Sequence, residues 1–116
     1  METSMLNALW SVQFSVPPSG TGVFGSGVVV LQNGSIRGGD GSYYYKGSYQ
    51  INGDIFIAEV SIIHYSGPFN NVLGVGVKQT QITLSGTIDA NEFEVTGQSK
   101  SLQKPITVRL ERLEGL

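Results

Sequence analysis

The chain predicts an all-β fold, an antiparallel up-and-down barrel of about eight strands, and three observations carry that prediction. Sixteen glycines sit among residues dominated by Val, Ile, Thr and Tyr, while the best helix formers are scarce, a balance that favours short strands and tight turns. Apolar and polar residues alternate with period two along much of the chain, with no long 3.6-residue period. Two Asn-Gly dipeptides, Asn33-Gly34 and Asn52-Gly53, separate apolar runs in the manner of β-hairpin turns.

Each strand follows from its own pattern. From Ala8 to about Val16, the residues Trp10, Val12, Phe14 and Val16 alternate with Ser11, Gln13 and Ser15, and Pro17-Pro18-Ser19-Gly20 ends the run. Val23 to Gln32 is nearly continuously apolar around Val28-Val29-Val30-Leu31, and Asn33-Gly34 returns the chain into a short strand, Ser35 to Gly38. Gly39-Asp40-Gly41 turns into a tyrosine-rich strand, Tyr43 to Gln50, and Asn52-Gly53 leads into the longest apolar stretch, Asp54 to Ser66. Gly67 to Val77 has no period and reads as a loop, with room for one helical turn, crossing an end of the sheet. Ile82 to Ile88, Glu92 to Ser99 and Ile106 to Glu111 complete the strands by alternation. A two-sheet sandwich is the competing architecture. It would need several long crossings where this chain has room for about one, whereas successive hairpins close a barrel and remove exposed edges.

The chain has 116 residues and reads as one domain, residues 1–116 with a core from about 6 to 113. An apolar fraction of 40% and a mean hydropathy of +0.03 are those of an ordinary globular domain. Seven basic residues against nine acidic ones give a net charge of −2, and no cluster of Lys or Arg supplies the footprint for direct nucleic-acid binding. With no cysteine there is no disulfide, thiolate metal site or thiol nucleophile. The first residues, Met1-Glu2-Thr3-Ser4-Met5, lack the features of a signal peptide, and no apolar stretch is long enough to cross a membrane as a helix, so the expected location is the cytoplasm.

Motifs with chemical potential resolve mostly into structure. Gly20-Thr21-Gly22-Val23-Phe24-Gly25 matches the dinucleotide-binding string G-x-G-x-x-G, and Asp40 lies at a distance that suits a ribose ligand. However, a strand follows where the pyrophosphate needs a helix N-terminus, so no nucleotide cofactor is expected and the glycines read as strand kinks. His64, next to Tyr65 and Ser66, is the single histidine; no metal pair and no G-x-S-x-G elbow accompany it, and no catalytic residue, metal or cofactor is assigned. Asp40, Asp54, Glu59, Asp89, Glu92 and Glu94 fall at turns or on polar faces. Asn33-Gly34-Ser35 is formally a glycosylation sequon but reads as a turn. In Tyr43-Tyr44-Tyr45 alternation sends Tyr44 to the face opposite Tyr43 and Tyr45, where an exposed aromatic suits partner recognition as well as it suits packing on both faces.

The first half, about Leu6 to Tyr65, resembles the GrlR-like family of negative regulators of bacterial type III secretion. The matching features are Leu9-Trp10-Ser11-Val12-Gln13-Phe14, the glycine-flanked strand Gly22 to Leu31, the segment Asn33-Gly34-Ser35-Ile36-Arg37-Gly38-Gly39-Asp40, and the tyrosine strand through Gly47. The resemblance implies a calycin-like barrel, related in shape to lipocalins, that has no enzymatic activity, binds a transcriptional activator protein and forms a homodimer. The family's repressor carries a Glu-Asp-Glu-Asp cluster just before the strand that corresponds to Asp54–Ser66. Here that place reads Gln50-Ile51-Asn52-Gly53-Asp54, with Asp54 as its only acid. Asn52, Gly53, Asp54 and Tyr44 are therefore the candidate partner-binding residues. The alternative function is an apolar small molecule or lipid held inside the barrel, with Trp10, Phe14, Tyr45 and Phe56 lining its cavity.

Overall fold

Alternating side chains need a face to bury, and in the computed structural model they bury it inside a closed barrel. The structure describes residues 3–15, 25–66, 79–99 and 105–116. A 3-10 helix, Thr3–Leu6, precedes eight strands: β1 (Ala8–Ser15), β2 (Gly25–Gln32), β3 (Ser35–Gly39), β4 (Tyr43–Asn52), β5 (Ile55–His64), β6 (Gln79–Thr87), β7 (Glu92–Ser99) and β8 (Pro105–Gly115). Every strand pairs antiparallel with its sequence neighbour, and β1 pairs with β8 to close the ring. The barrel prediction thus holds over the sandwich. The Gly67–Val77 loop, its possible helical turn, the Pro17–Gly20 stop and most of the G-x-G-x-x-G string lie outside the described residues.

Strand ends shift where hydrogen bonding outruns the hydrophobic pattern. The tyrosine strand continues past Gln50 to Asn52, and β8 runs on to Gly115 because Ala8 and Leu9 pair with Gly115 and Glu114. Trp10 then pairs with Arg112, so Leu113 is an extra residue in β8, a bulge that re-aims the strand where the barrel closes. The first hairpin turns as its dipeptide predicts, with φ of 50° at Asn33 and 90° at Gly34, the signs of a type I′ turn. The second corrects the reading by one residue: Asn52 stays in β4 opposite Ile55, and the turn is Gly53-Asp54, with only Gly53 at positive φ (68°). Glycine in the first of two turn positions is the pattern of a type II′ turn, which twists with the strands as well as type I′ does.

The two ends of the barrel differ. At the hairpin end, where β2–β3, β4–β5 and β6–β7 are joined, fully buried Leu6 is packed beneath the interior and its carbonyl accepts the Trp10 indole N–H at 3.0 Å. Four rings then cross the barrel in contact: Trp10 edge-on to Phe93 at 5.3 Å, Phe93 to Phe56 at 5.3 Å, and Phe56 stacked on Tyr49 at 5.2 Å. The rest of the core is mainly aliphatic and includes Val12, Leu31, Ile36, Val60, Ile82, Leu84, Val95 and Val108. Inward glycines let the wall bend, Gly38 and Gly97 among them: a Cβ on Gly38 would strike the carbonyl of Val28, and one on Gly97 the carbonyl of Thr83.

Candidate partner-binding surface and interior cavity

Asp40 organises the end opposite the hairpins. It sits between β3 and β4, where its Oδ1 accepts the backbone N–H groups of Ser42 and Tyr43, each at 2.8 Å, an Asx turn that reverses the chain. Its Oδ2 accepts a hydrogen bond from the buried Tyr45 hydroxyl. Burial, then the hydrogen bond to the Asp40 carboxylate and its charge, hold the Tyr45 phenol well above the ordinary range. The Tyr45 hydroxyl lies over Gly27, and Phe14 meets the Tyr45 ring edge-on at 5.5 Å while covering Gly25, so two aromatic rings fill space that the β2 glycines leave. Tyr65 ties the end of β5 to the same turn: its hydroxyl donates to the Asp40 carbonyl at 2.6 Å and its N–H to the Ser42 carbonyl at 2.9 Å. Both carboxylate oxygens of Asp40 thus serve the fold.

His64 ends β5 half-buried, with its ring edge-on to Tyr43 at 5.1 Å. Its neighbours Tyr65 and Ser66 both donate backbone N–H groups to the Ser42 carbonyl, at 2.9 and 3.3 Å, which fastens the end of β5 to the β3–β4 turn. Among the described residues, no group of three or more His, Cys, Asp or Glu side chains converges as a metal site.

Within the barrel an apolar cavity of about 40 Å³ lies between the ring layer and the Phe14–Tyr45 pair. Phe14, Tyr45 and Phe56 line it together with aliphatic residues from the surrounding strands. Trp10 is packed below, against Leu6 and Phe93, and does not reach the cavity. Alternation places Trp10 and Phe14 on one face but says nothing of depth along the barrel axis, which is why the sequence grouped them. Ligand pockets run to roughly 300–1,000 Å³. This cavity has room for a few atoms.

On the outer wall the four candidate partner residues fall into two places. Asn52, Gly53 and Asp54 are exposed at the hairpin end, continuous with exposed Ile55 and Ile57 on β5, whose cross-strand neighbours Asn52, Gln50, Thr87 and Ser85 carry no charge. Tyr44 stands near the other end of β4, on the order of 25 Å along the strand from Asn52 at ~3.3 Å per residue. It is 41% exposed, with its ring 6.2 Å from that of Tyr65, which is 56% exposed. Sequence reasoning missed Tyr65, Ile55 and Ile57 as surface residues because they belonged to a run read as uniformly apolar. The usable signal was parity, since Glu59 and Ser61 share one face of the strand with Ile55 and Ile57.

The charged residues divide by wall. Glu92 and Glu111 face each other across β7 and β8, as do Glu94 and Arg109, and Arg109 also bonds Glu92 at 2.8 Å. At the end of β6, Asp89 accepts the N–H groups of Asn91 and Glu92 at 2.9 and 3.4 Å, contacts that hold its carboxyl below the usual range. No helix in the described residues is long and apolar enough to cross a membrane. Comparison of the chain with protein-family models and with curated proteins finds no match.

Proposed function

We propose that the chain is a non-enzymatic regulatory binding protein of the GrlR-like kind, a cytoplasmic homodimer that holds a transcriptional activator of type III secretion against the outside of its barrel. The observation that carries this reading is the contrast between the two faces of the wall. Inside, the cavity lined by described residues holds about 40 Å³. Outside, Tyr44, Tyr65, Ile55 and Ile57 remain exposed, the kind of aromatic and apolar side chains that anchor protein interfaces. The closed eight-stranded barrel supports the same reading, because it is the fold that the resemblance of residues 6–65 implies.

The test is capture from the native cell with the tagged full chain, followed by identification of what is retained. A DNA-binding regulator is expected with the wild type, with retention about tenfold weaker for Tyr44→Ala or Ile57→Glu. Recovery of no regulator overturns the reading. A second reading, an apolar molecule inside the barrel, draws on the wholly apolar cavity wall. Native mass spectrometry that finds retained lipid would favour it.

A further inference from the structure

The wall formed by β2 to β5 carries two adjacent cross-strand rows. One row is Val28, Gly39, Tyr44 and Ile63; the next is Val30, Arg37, Lys46 and Ser61. Val28 and Tyr44 are exposed on either side of Gly39, which adds no side chain between them. Arg37 and Lys46 are exposed directly opposite each other, an arrangement of like charges that costs stability. Nothing in the described barrel offsets it: Arg37 donates to the Ile36 carbonyl at 3.0 Å, and neither cation closes an ion pair. On this wall Glu59, opposite Ser48 and Thr83, lies diagonal to Lys46 without closing an ion pair with it.

We infer that this face docks an acidic protein segment, whose carboxylates lie across Arg37 and Lys46 while its apolar side chains pack on Val28, Tyr44 and Tyr65. The inference rests on the reading of the chain as a protein-binding barrel and gives the partner's docking segment its chemistry. Charge complementarity selects this occupant. No carboxylate of the described barrel closes an ion pair with Arg37 or Lys46, so both cations are open to the carboxylates of a partner, and the apolar side chains beside them suit a protein segment. The glutamates of β7 and β8 turn an acidic partner away from that wall and toward this one, so the same charge distribution sets orientation. It also accounts for the place where the chain departs from its resemblance: with one acid at residues 50–54, the positive charge beside Tyr44 is the stronger steering element.

The test selects short random peptides displayed on phage against the full chain, then measures the binding of enriched peptides to wild type, Arg37→Glu, Lys46→Glu and Tyr44→Ala. Enriched peptides are expected to combine Asp or Glu with aromatic or aliphatic residues, to bind less tightly as salt is added, and to lose about tenfold in affinity on each variant. Arg37→Glu converts the like-charge pair to an opposite one and is expected to unfold at a higher temperature than wild type, so its loss of binding is not a loss of folding. Absence of enriched peptides, enrichment of neutral or basic ones, or affinities unchanged by charge reversal overturns the inference. So does a short DNA duplex that binds with the same dependence on Arg37 and Lys46. Undiminished capture of the regulator by an Arg37→Glu, Lys46→Glu double variant overturns this face and leaves the general reading standing. Acidic peptides that behave as expected while no regulator is captured overturn the regulator reading and leave the face.

Discussion

Asp40 holds the β3–β4 turn through one carboxylate oxygen and the Tyr45 hydroxyl through the other, so its removal has a cost that a surface carboxylate would not. Asp40→Ala leaves the buried Tyr45 hydroxyl without its acceptor and frees two turn N–H groups, a loss of about 1–3 kcal/mol in urea unfolding. Tyr45→Phe removes donor and need together on the Tyr45 side and is expected to cost about 1 kcal/mol, with Asp40 still capping its turn. The pair also sets a pH response. Burial raises the phenols of both Tyr45 and Tyr49 above their ordinary value of 10.0, so the unfolded chain releases these protons first. Their contribution to stability is therefore complete below pH 10 and is lost as pH rises beyond it. Urea midpoints measured from neutral pH into the alkaline range should fall above pH 10, and less steeply for Tyr45→Phe; a flat profile would count against the assignment. Turn chemistry made Asp40 legible in the sequence as a turn residue. Its second contact was not, because the Tyr45 hydroxyl reaches Asp40 only once β3 and β4 pair and the Tyr45 side chain lies on the inner face of the wall.

At the scale of the strands, the β4–β5 hairpin separates what local chemistry predicts from what register decides. Gly53 at a φ of 68° occupies a conformation that disfavours a Cβ, so Gly53→Ala should lower stability by about 1 kcal/mol in denaturant unfolding. Asn52, paired in β4, should tolerate substitution by Thr with little change, whereas a turn centred on Asn52-Gly53 would penalise that β-branched residue. The Asn-Gly rule located this hairpin but misplaced its turn by one residue, because ten pairs from Tyr43–His64 to Asn52–Ile55 set the register and the turn follows. Asn33 shows the other case. There the dipeptide and the pairing agree, and Asn7 reinforces the turn by donating to the Asn33 side chain at 3.0 Å and accepting its backbone N–H at 2.8 Å. That contact spans 26 residues and exists only because the N-terminal segment is laid against the hairpin end, so no local pattern announces it. Period-two alternation made most of the strands legible. It could not separate Trp10 from Phe14 in depth, nor show that Arg37 and Lys46 would stand opposite each other.

The molecule as a whole is a closed wall around a small void, and that makes the two functional readings separable by filling the void. Ala58 is buried and lines the cavity from the middle of β5, where its small side chain leaves part of the 40 Å³ open. Ala58→Val adds two methyl carbons to an apolar space without adding a polar group, and a substitution of that kind stabilises by about 0.5–2 kcal/mol when it fits. The outer wall opposite Ala58 is unchanged, because successive residues of β5 point to opposite faces. If the barrel works through its exterior, Ala58→Val should raise the urea midpoint and leave both regulator capture and acidic-peptide affinity as in wild type. If it works by enclosing an apolar molecule, the same substitution should abolish retention of that molecule in native mass spectrometry. Arg37→Glu completes the comparison from the other side: it leaves the interior untouched, strengthens the β3–β4 pairing and weakens peptide binding. A loss of function with Ala58→Val and none with Arg37→Glu would therefore assign the activity to the interior, whereas the reverse pattern places it on the β2–β5 wall.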